Sequence, residues 1–347
     1  MRLSPTAATI SASLHSRIRR EQCCLGVSLP IVVFEVLAYA CLGLCIWHAL
    51  HQGPLRRARL IELGIGVLYG LTLETLTIMQ LHVYQYGQFL IMLGPIPLAV
   101  AVGWGIILYS AMAFADSLAF PSWAAPALVG LLALNIDLAM DAVAIRLNMW
   151  HWLGFAGNQE WFGVPYANFY AWFIVLCSCS ALLWWVRPLT VRPGWRGPLA
   201  AFGALLGSVV ILSILDELVV QYDRHGGIVW LPVMIVVIGA LVVVGRGFWR
   251  MRSTDHPSAR EAPVNILIPP IVPFYFHFFF LSMLFVAGVA VHLPVLVGVS
   301  LAMIAVSLVL HGRLVQQKLI MRKSLSSQSA LSSETVSMKK PPTISVD

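Results

Sequence analysis

The sequence predicts an all-α protein, a polytopic transmembrane helix bundle of about eight or nine spans. Of its 347 residues, 59% are hydrophobic and only 11% are charged, where a soluble domain carries about 25% charged residues. Mean hydropathy is +0.84. Apolar runs of roughly 20 residues, long enough to cross a hydrocarbon core, recur between short polar connections. A third observation bears on function: the stretch NIDLAMDAVAIRLNMWHW, residues 135–152, places Asp137 and Asp141 inside one such run. An ionised carboxylate at the bilayer centre costs at least about 2.5 kcal/mol, so two acids there ask for a task.

The runs fall at 25–48, 60–80, 89–115, 122–147, 166–186, 198–220, 227–245, 266–290 and 293–310. Pro30 and Glu35 interrupt the first, making it the weakest span. The second carries Glu62 near its start and Glu74 past its middle, the fourth Asp137 and Asp141, and the sixth Asp216 and Glu217 near its end. The eighth opens on Pro269, Pro270 and Pro273, which should kink or delay the helix. The chain divides into an N-terminal segment (1–24), a helical domain (25–310) and a polar tail (311–347) whose Ser, Lys and Pro content reads as disorder.

A net charge of +7 does not point to nucleic acid, because the basic residues lie between spans and no basic stripe is interleaved with aromatics. They read as topology. Nine spans put the arginines at 56–59, 187–196 and 246–260 on the face of the C-terminal tail, so the positive-inside rule places the C-terminus in the cytoplasm of a multi-pass cell-membrane protein. Arg2, Arg17, Arg19 and Arg20 count against that orientation. No cleavable leader is evident. None of the six cysteines has zinc-ligand spacing, and they read as small core residues.

Residues four apart on a helix differ by roughly 40° in direction and ~6 Å in height, so Asp137 and Asp141 share a face. If every span crosses, Glu74, Asp137, Asp141 and Asp216 lie in the half of the membrane nearer one surface. The loops at that surface bring Tyr84, Tyr86, Trp150, Trp152, Trp161 and Phe162, and the fifth span enters there with Asn168, Phe169 and Trp172. The expected arrangement is a carboxyl cluster under aromatic side chains. Each part has a plainer alternative. The tryptophans could form an interfacial belt, Arg146 could pair with Asp141, Glu62 could sit at the interface beside Arg56, Arg57 and Arg59, and Asp216 and Glu217 could belong to the neighbouring polar loop.

Several chemistries are disfavoured. The ten histidines are scattered and do not form the boxes a membrane di-iron site needs. NIDLAMD and DELVVQYD lack the dense carboxylate pairs of magnesium-diphosphate sites, and phosphate loops, nucleophile elbows and dinucleotide fingerprints are absent. Proton transfer in an apolar cavity remains, for which a desolvated carboxyl that keeps its proton is a candidate general acid.

The stretch from Glu74 to about Val186 resembles the integral-membrane carotenoid biosynthesis family that includes carotenoid 1,2-hydratases and bisanhydrobacterioruberin hydratase. Four pieces carry the resemblance: Glu74 followed by Tyr84 and Tyr86; IPLAVAVGW ending at Trp104; Asp137 and Asp141 leading to Trp150 and Trp152; and FGVPYANFYAW from Phe162 to Trp172. The chain departs from the family pattern at Ala142, where Pro is usual, at Asn148, where Gly is usual, and in TLTIMQLHV, which lacks the expected glycines. The resemblance implies addition of water to the terminal double bond of an acyclic carotenoid end group, a reaction that needs no metal or redox cofactor. It implies catalytic roles for Asp137 as the acid, Glu74 as the residue orienting water, and Asp141. Tyr84, Tyr86, Trp104, Trp150, Trp152, Phe162, Asn168 and Trp172 would then contact the isoprenoid, with membrane lipids around the bundle. Two other readings stay open: a prenyltransferase or cyclase acting on isoprenoids, and a proton-coupled transporter or lipid-binding membrane protein.

Overall fold

A computed structural model describes residues 27–82, 84–153, 160–228, 230–253 and 268–312. The segment 1–24 and nearly all of the tail, with the disorder expected there, lie outside the described residues. Among the described residues, nine helices are long and apolar enough to cross a membrane. They are α1 (Leu29–Leu50), α2 (Arg56–Leu76), α3 (Leu98–Ser117), α4 (Ala125–Ala144), α5 (Tyr166–Val191), α6 (Arg196–Arg224), α7 (Trp230–Ser253), α8 (Ile268–Val286) and α9 (Pro294–Gly312). The chain is a multi-pass membrane protein built as a helix bundle.

The first segment, weakest in the sequence, is a full helix. Pro30 sits in its first turn, where a missing N–H costs nothing. Glu35 is fully buried and accepts hydrogen bonds from the backbone N–H groups of Leu90 and Ile91 and from the Tyr39 hydroxyl. That acid ties the loop before α3 to α1. The loop itself corrects the expected start of the third span at 89. Gly94, with φ +62, turns the chain back so that β2 (Met92–Leu93) pairs with β3 (Ile96–Pro97), and the helix begins only at Leu98. In α8, Pro269 and Pro270 fall in the first turn and Pro273 lies within the helix.

The bundle is organised around α3 and α4, which are the most enclosed, with 83% of their apolar windows buried against 22% for α6 and α7. The α2/α3 crossing is a close one. A Cβ on Gly70 would lie 2.6 Å from the Cβ of Trp104, and one on Gly105 would lie 2.4 Å from a Val67 methyl. Small residues let these backbones approach, which brings the Trp104 indole to the end of α2.

At the opposite end of the bundle, Arg59 and Glu62 of α2, Asp116 of α3 and Arg187 of α5 form one ion-pair network. Arg59 bonds Glu62 at 3.0 Å and Asp116 at 2.6 Å, and Arg187 bonds Glu62 at 2.6 Å and Asp116 at 2.9 Å. Glu62 is buried inside the bundle; its side chain is 1% exposed. Two cations share two acids across three helices, and removing one acid leaves buried positive charge without compensation. Glu62→Leu is expected to lower stability in detergent by about 3–5 kcal/mol, read as a reduced midpoint of thermal unfolding. An unchanged midpoint would mean that the network contributes no net stability.

Candidate functional site

The C-terminal ends of α2 and α4 and the N-terminal ends of α3 and α5 converge at one end of the bundle. The end of α2 is prepared locally: Thr72, Thr75 and Thr77 each bond the carbonyl four residues back, and the helix widens into a π turn over Thr77–Leu81. Such turns often mark functional positions. The chain then reverses through His82, in the left-handed region at φ +50, into β1 (Tyr84–Tyr86). After α4 it reverses again through Asn148 at φ +56, into β4 (Trp150–Trp152). Asn is among the few residues that tolerate this geometry.

β1 and β4 pair antiparallel, Tyr84 opposite Trp152 and Tyr86 opposite Trp150, with ring centroids 4.9 and 6.0 Å apart. This small ribbon roofs the acids. Trp150, 7% exposed, is buried in the roof and does not form a surface belt.

Glu74 is 3% exposed and accepts three hydrogen bonds: from Tyr84, from Tyr86 at 2.7 Å and from the Trp104 indole at 2.8 Å. Burial, and next the charge of Glu74, hold both tyrosine hydroxyls well above the ordinary phenol range. They therefore stay neutral and serve as donors. A carboxylate has about four lone-pair sites, so one acceptor position of Glu74 remains.

On α4, Asp137 and Asp141 are 0% and 3% exposed. The Asn168 amide nitrogen donates to both, at 3.1 Å to Asp137 Oδ2 and 2.7 Å to Asp141 Oδ2. The two carboxyls are thus brought against one amide nitrogen. Asp137 Oδ1 is buried and finds no hydrogen-bond partner among the described residues. Arg146 does not neutralise the pair; it donates to the carbonyls of Ala142 and Phe162, holding the turn after α4.

A cavity of about 70 Å³ lies between these groups, with Glu74 and Asp141 on its wall. Tyr84, Tyr86, Trp104, Trp150, Trp152, Asn168 and Trp172 complete much of the lining. Trp104 and Trp172 face each other with centroids 4.2 Å apart. Asp137 stands one layer behind Asp141. Phe162 lies outside the lining; its backbone, at φ +50, turns the chain into β5 (Val164–Pro165), and its ring packs on Trp161. Trp161 in turn donates to the Leu138 carbonyl. Asp216 and Glu217 take no part, Glu217 bonding Gln221 on its own helix. Residues 154–159 of the connecting loop lie outside the described residues.

Phe34 of α1 and Phe276 of α8 also line the cavity, and sequence reasoning did not single them out. They lie in apolar spans rich in large side chains, where nothing local separates a cavity-facing ring from one in the core.

Fold and site together define an intramembrane protein with a carboxyl cluster enclosed by aromatic side chains. The model of the carotenoid biosynthesis protein family matches residues 31–243, and the chain belongs to that family. The match runs from α1 into α7 and includes every group named above except Phe276. No curated protein and no solved structure matches the chain. Membership gives the protein a role in carotenoid biosynthesis and an isoprenoid or carotenoid as its substrate class.

Proposed function

We propose that this protein adds water to the terminal double bond of an acyclic carotenoid end group. The observation that carries the reading is the Asp137–Asp141 pair on one amide nitrogen, opening through Asp141 onto a cavity with tryptophan faces. A buried oxygen without a donor, Asp137 Oδ1, is accounted for by one proton held between the two carboxyls. The proton rests on Asp137 and passes to Asp141, which delivers it at the cavity wall, leaving the pair one proton short until the reaction returns it.

Protonation of the less substituted alkene carbon breaks the π bond and leaves a tertiary cation on the other carbon. Indole faces such as those of Trp104 and Trp172 stabilise a desolvated cation by up to ~2 kcal/mol each. Water bonds to the cation and gives up one proton, so that the net change is addition of one water and a tertiary alcohol. The remaining acceptor position of Glu74 orients that water, and the released proton restores the aspartate pair. At roughly 30 Å³ per water, the cavity as it stands has room for about two, and an end group enters by displacing wall side chains.

Prenyl transfer is less well supported, because among the described residues no Arg or Lys lines the cavity to receive a diphosphate. The test is expression in a lycopene-producing host followed by mass analysis of the pigments. A gain of one water mass is expected, and unchanged pigments would overturn the hydration reading. Since the reaction occurs at an apolar pigment, the plasma membrane of the producing cell is its proposed location.

A further inference from the structure

Two large apolar grooves flank the bundle. One, of about 1150 Å³, runs between α1, α8 and α9, and the other, of about 910 Å³, runs between α4, α7 and α9. Either could hold a long hydrocarbon. They differ in what separates them from the acid cavity.

The second groove meets the cavity only across α4 and α5. There the Asn168 bonds to both aspartates and the Trp161 bond to Leu138 hold the two helices together. A path through that wall would part the catalytic groups themselves. Between the first groove and the cavity stand the facing side chains of α1 and α8. Phe34 and Phe276 line the cavity, while Tyr275 and Phe279, which touch the Phe34 ring at centroid distances of 5.9 and 5.5 Å, line the groove. The Tyr275 hydroxyl donates to the Phe34 carbonyl at 2.9 Å, so the Tyr275 side chain ties α8 to the α1 backbone beside the Phe34 and Phe276 rings.

We infer that the groove between α1, α8 and α9 is the berth of the substrate's linear isoprenoid chain, with the end group passing between Phe34 and Phe276 into the acid cavity. This rests on the reading of that cavity as the reacting site. Along α1 the berth extends from Val33 to Leu44, eleven residues or roughly 16 Å at 1.5 Å per residue. His311 of α9, 4% exposed, also lines it, and neither of its ring nitrogens finds a hydrogen-bond partner among the described residues. The walls supplied by α8 and α9 lie beyond the residues matched by the family model, so chain selection in this protein is built partly by its own C-terminal helices.

The test uses the full-length protein in phosphatidylcholine nanodiscs loaded with lycopene, reading pigment retained per protein by absorbance. Ala40 and Leu241 line the first and second grooves respectively, and both are exposed on their helices, so a larger side chain leaves the core intact. Ala40→Trp is expected to reduce retained pigment at least tenfold, and Leu241→Trp to leave it unchanged. The opposite pattern, equal retention in both variants, or no retention by the unmodified protein would overturn the inference. Because binding is read without turnover, retention that depends on Ala40 but yields no hydrated product would sink the hydration reading and leave the berth standing.

Discussion

Asp141→Asn should abolish hydration while the protein accumulates normally in the membrane. Asparagine keeps the shape of the side chain and an acceptor for Asn168, but it has no acidic proton to present at the cavity wall. General acid catalysis contributes typically ~10²–10⁴-fold in rate, and a loss in that range is expected. Asp137→Asn should fall nearly as far, although Asp137 never touches the cavity, because its proton is the one that Asp141 presents. The measurement is hydrated pigment formed per unit of membrane-embedded protein. Asp141→Asn with near-normal turnover would remove the acid from this position. A normal Asp137→Asn with an inactive Asp141→Asn would make Asp137 a structural partner and leave Asp141 as a lone acid.

The second large effect is expected at Glu74, where two substitutions separate chemistry from architecture. Glu74→Leu strands three donors, Tyr84, Tyr86 and Trp104, around a position that is 3% exposed. Each unsatisfied donor costs about 1–3 kcal/mol, so the sum approaches the 5–15 kcal/mol that keeps a typical protein folded. That variant should fail to accumulate. Glu74→Gln retains one oxygen acceptor and nearly the same volume, so it should accumulate, yet turnover should fall because the amide cannot both hold the roof and accept from the attacking water. If Glu74→Gln turns over normally, Glu74 is only the anchor of the β1/β4 roof. If Glu74→Leu is stable and folded, the three-donor arrangement is not what holds the roof in place.

The bundle was legible because hydrophobic length is a one-dimensional property. A run of about 20 apolar residues satisfies its backbone as a helix wherever it lies in lipid, so no knowledge of its neighbours is needed to find it. The acids stood out for the same reason, since a carboxyl inside such a run is costly without a partner. Span ends were harder. Residues 89–97 are apolar enough to extend the third span, but Gly94 turns them into a hairpin that Glu35 secures from another helix, a contact 55 residues away in sequence. Glu35 read as an interruption and Glu62 as an interfacial residue, and in the folded chain both are buried acceptors with partners on distant elements.

Within the site, the sequence by itself determined which residue types are present and, through the four-residue spacing on α4, that Asp137 and Asp141 share a face. Only the tertiary structure decided which of the two reaches the cavity, that a single Asn168 amide joins them, that Glu74 is already occupied by three donors, and that Phe34 and Phe276 close the side facing the α1/α8 groove. The physical reason is that spacing along one helix fixes direction to within a face. Hydrogen-bond partnership and access to a cavity depend instead on how closely separate helices approach, and that is set by contacts such as Gly70 against Trp104 between residues far apart in the chain.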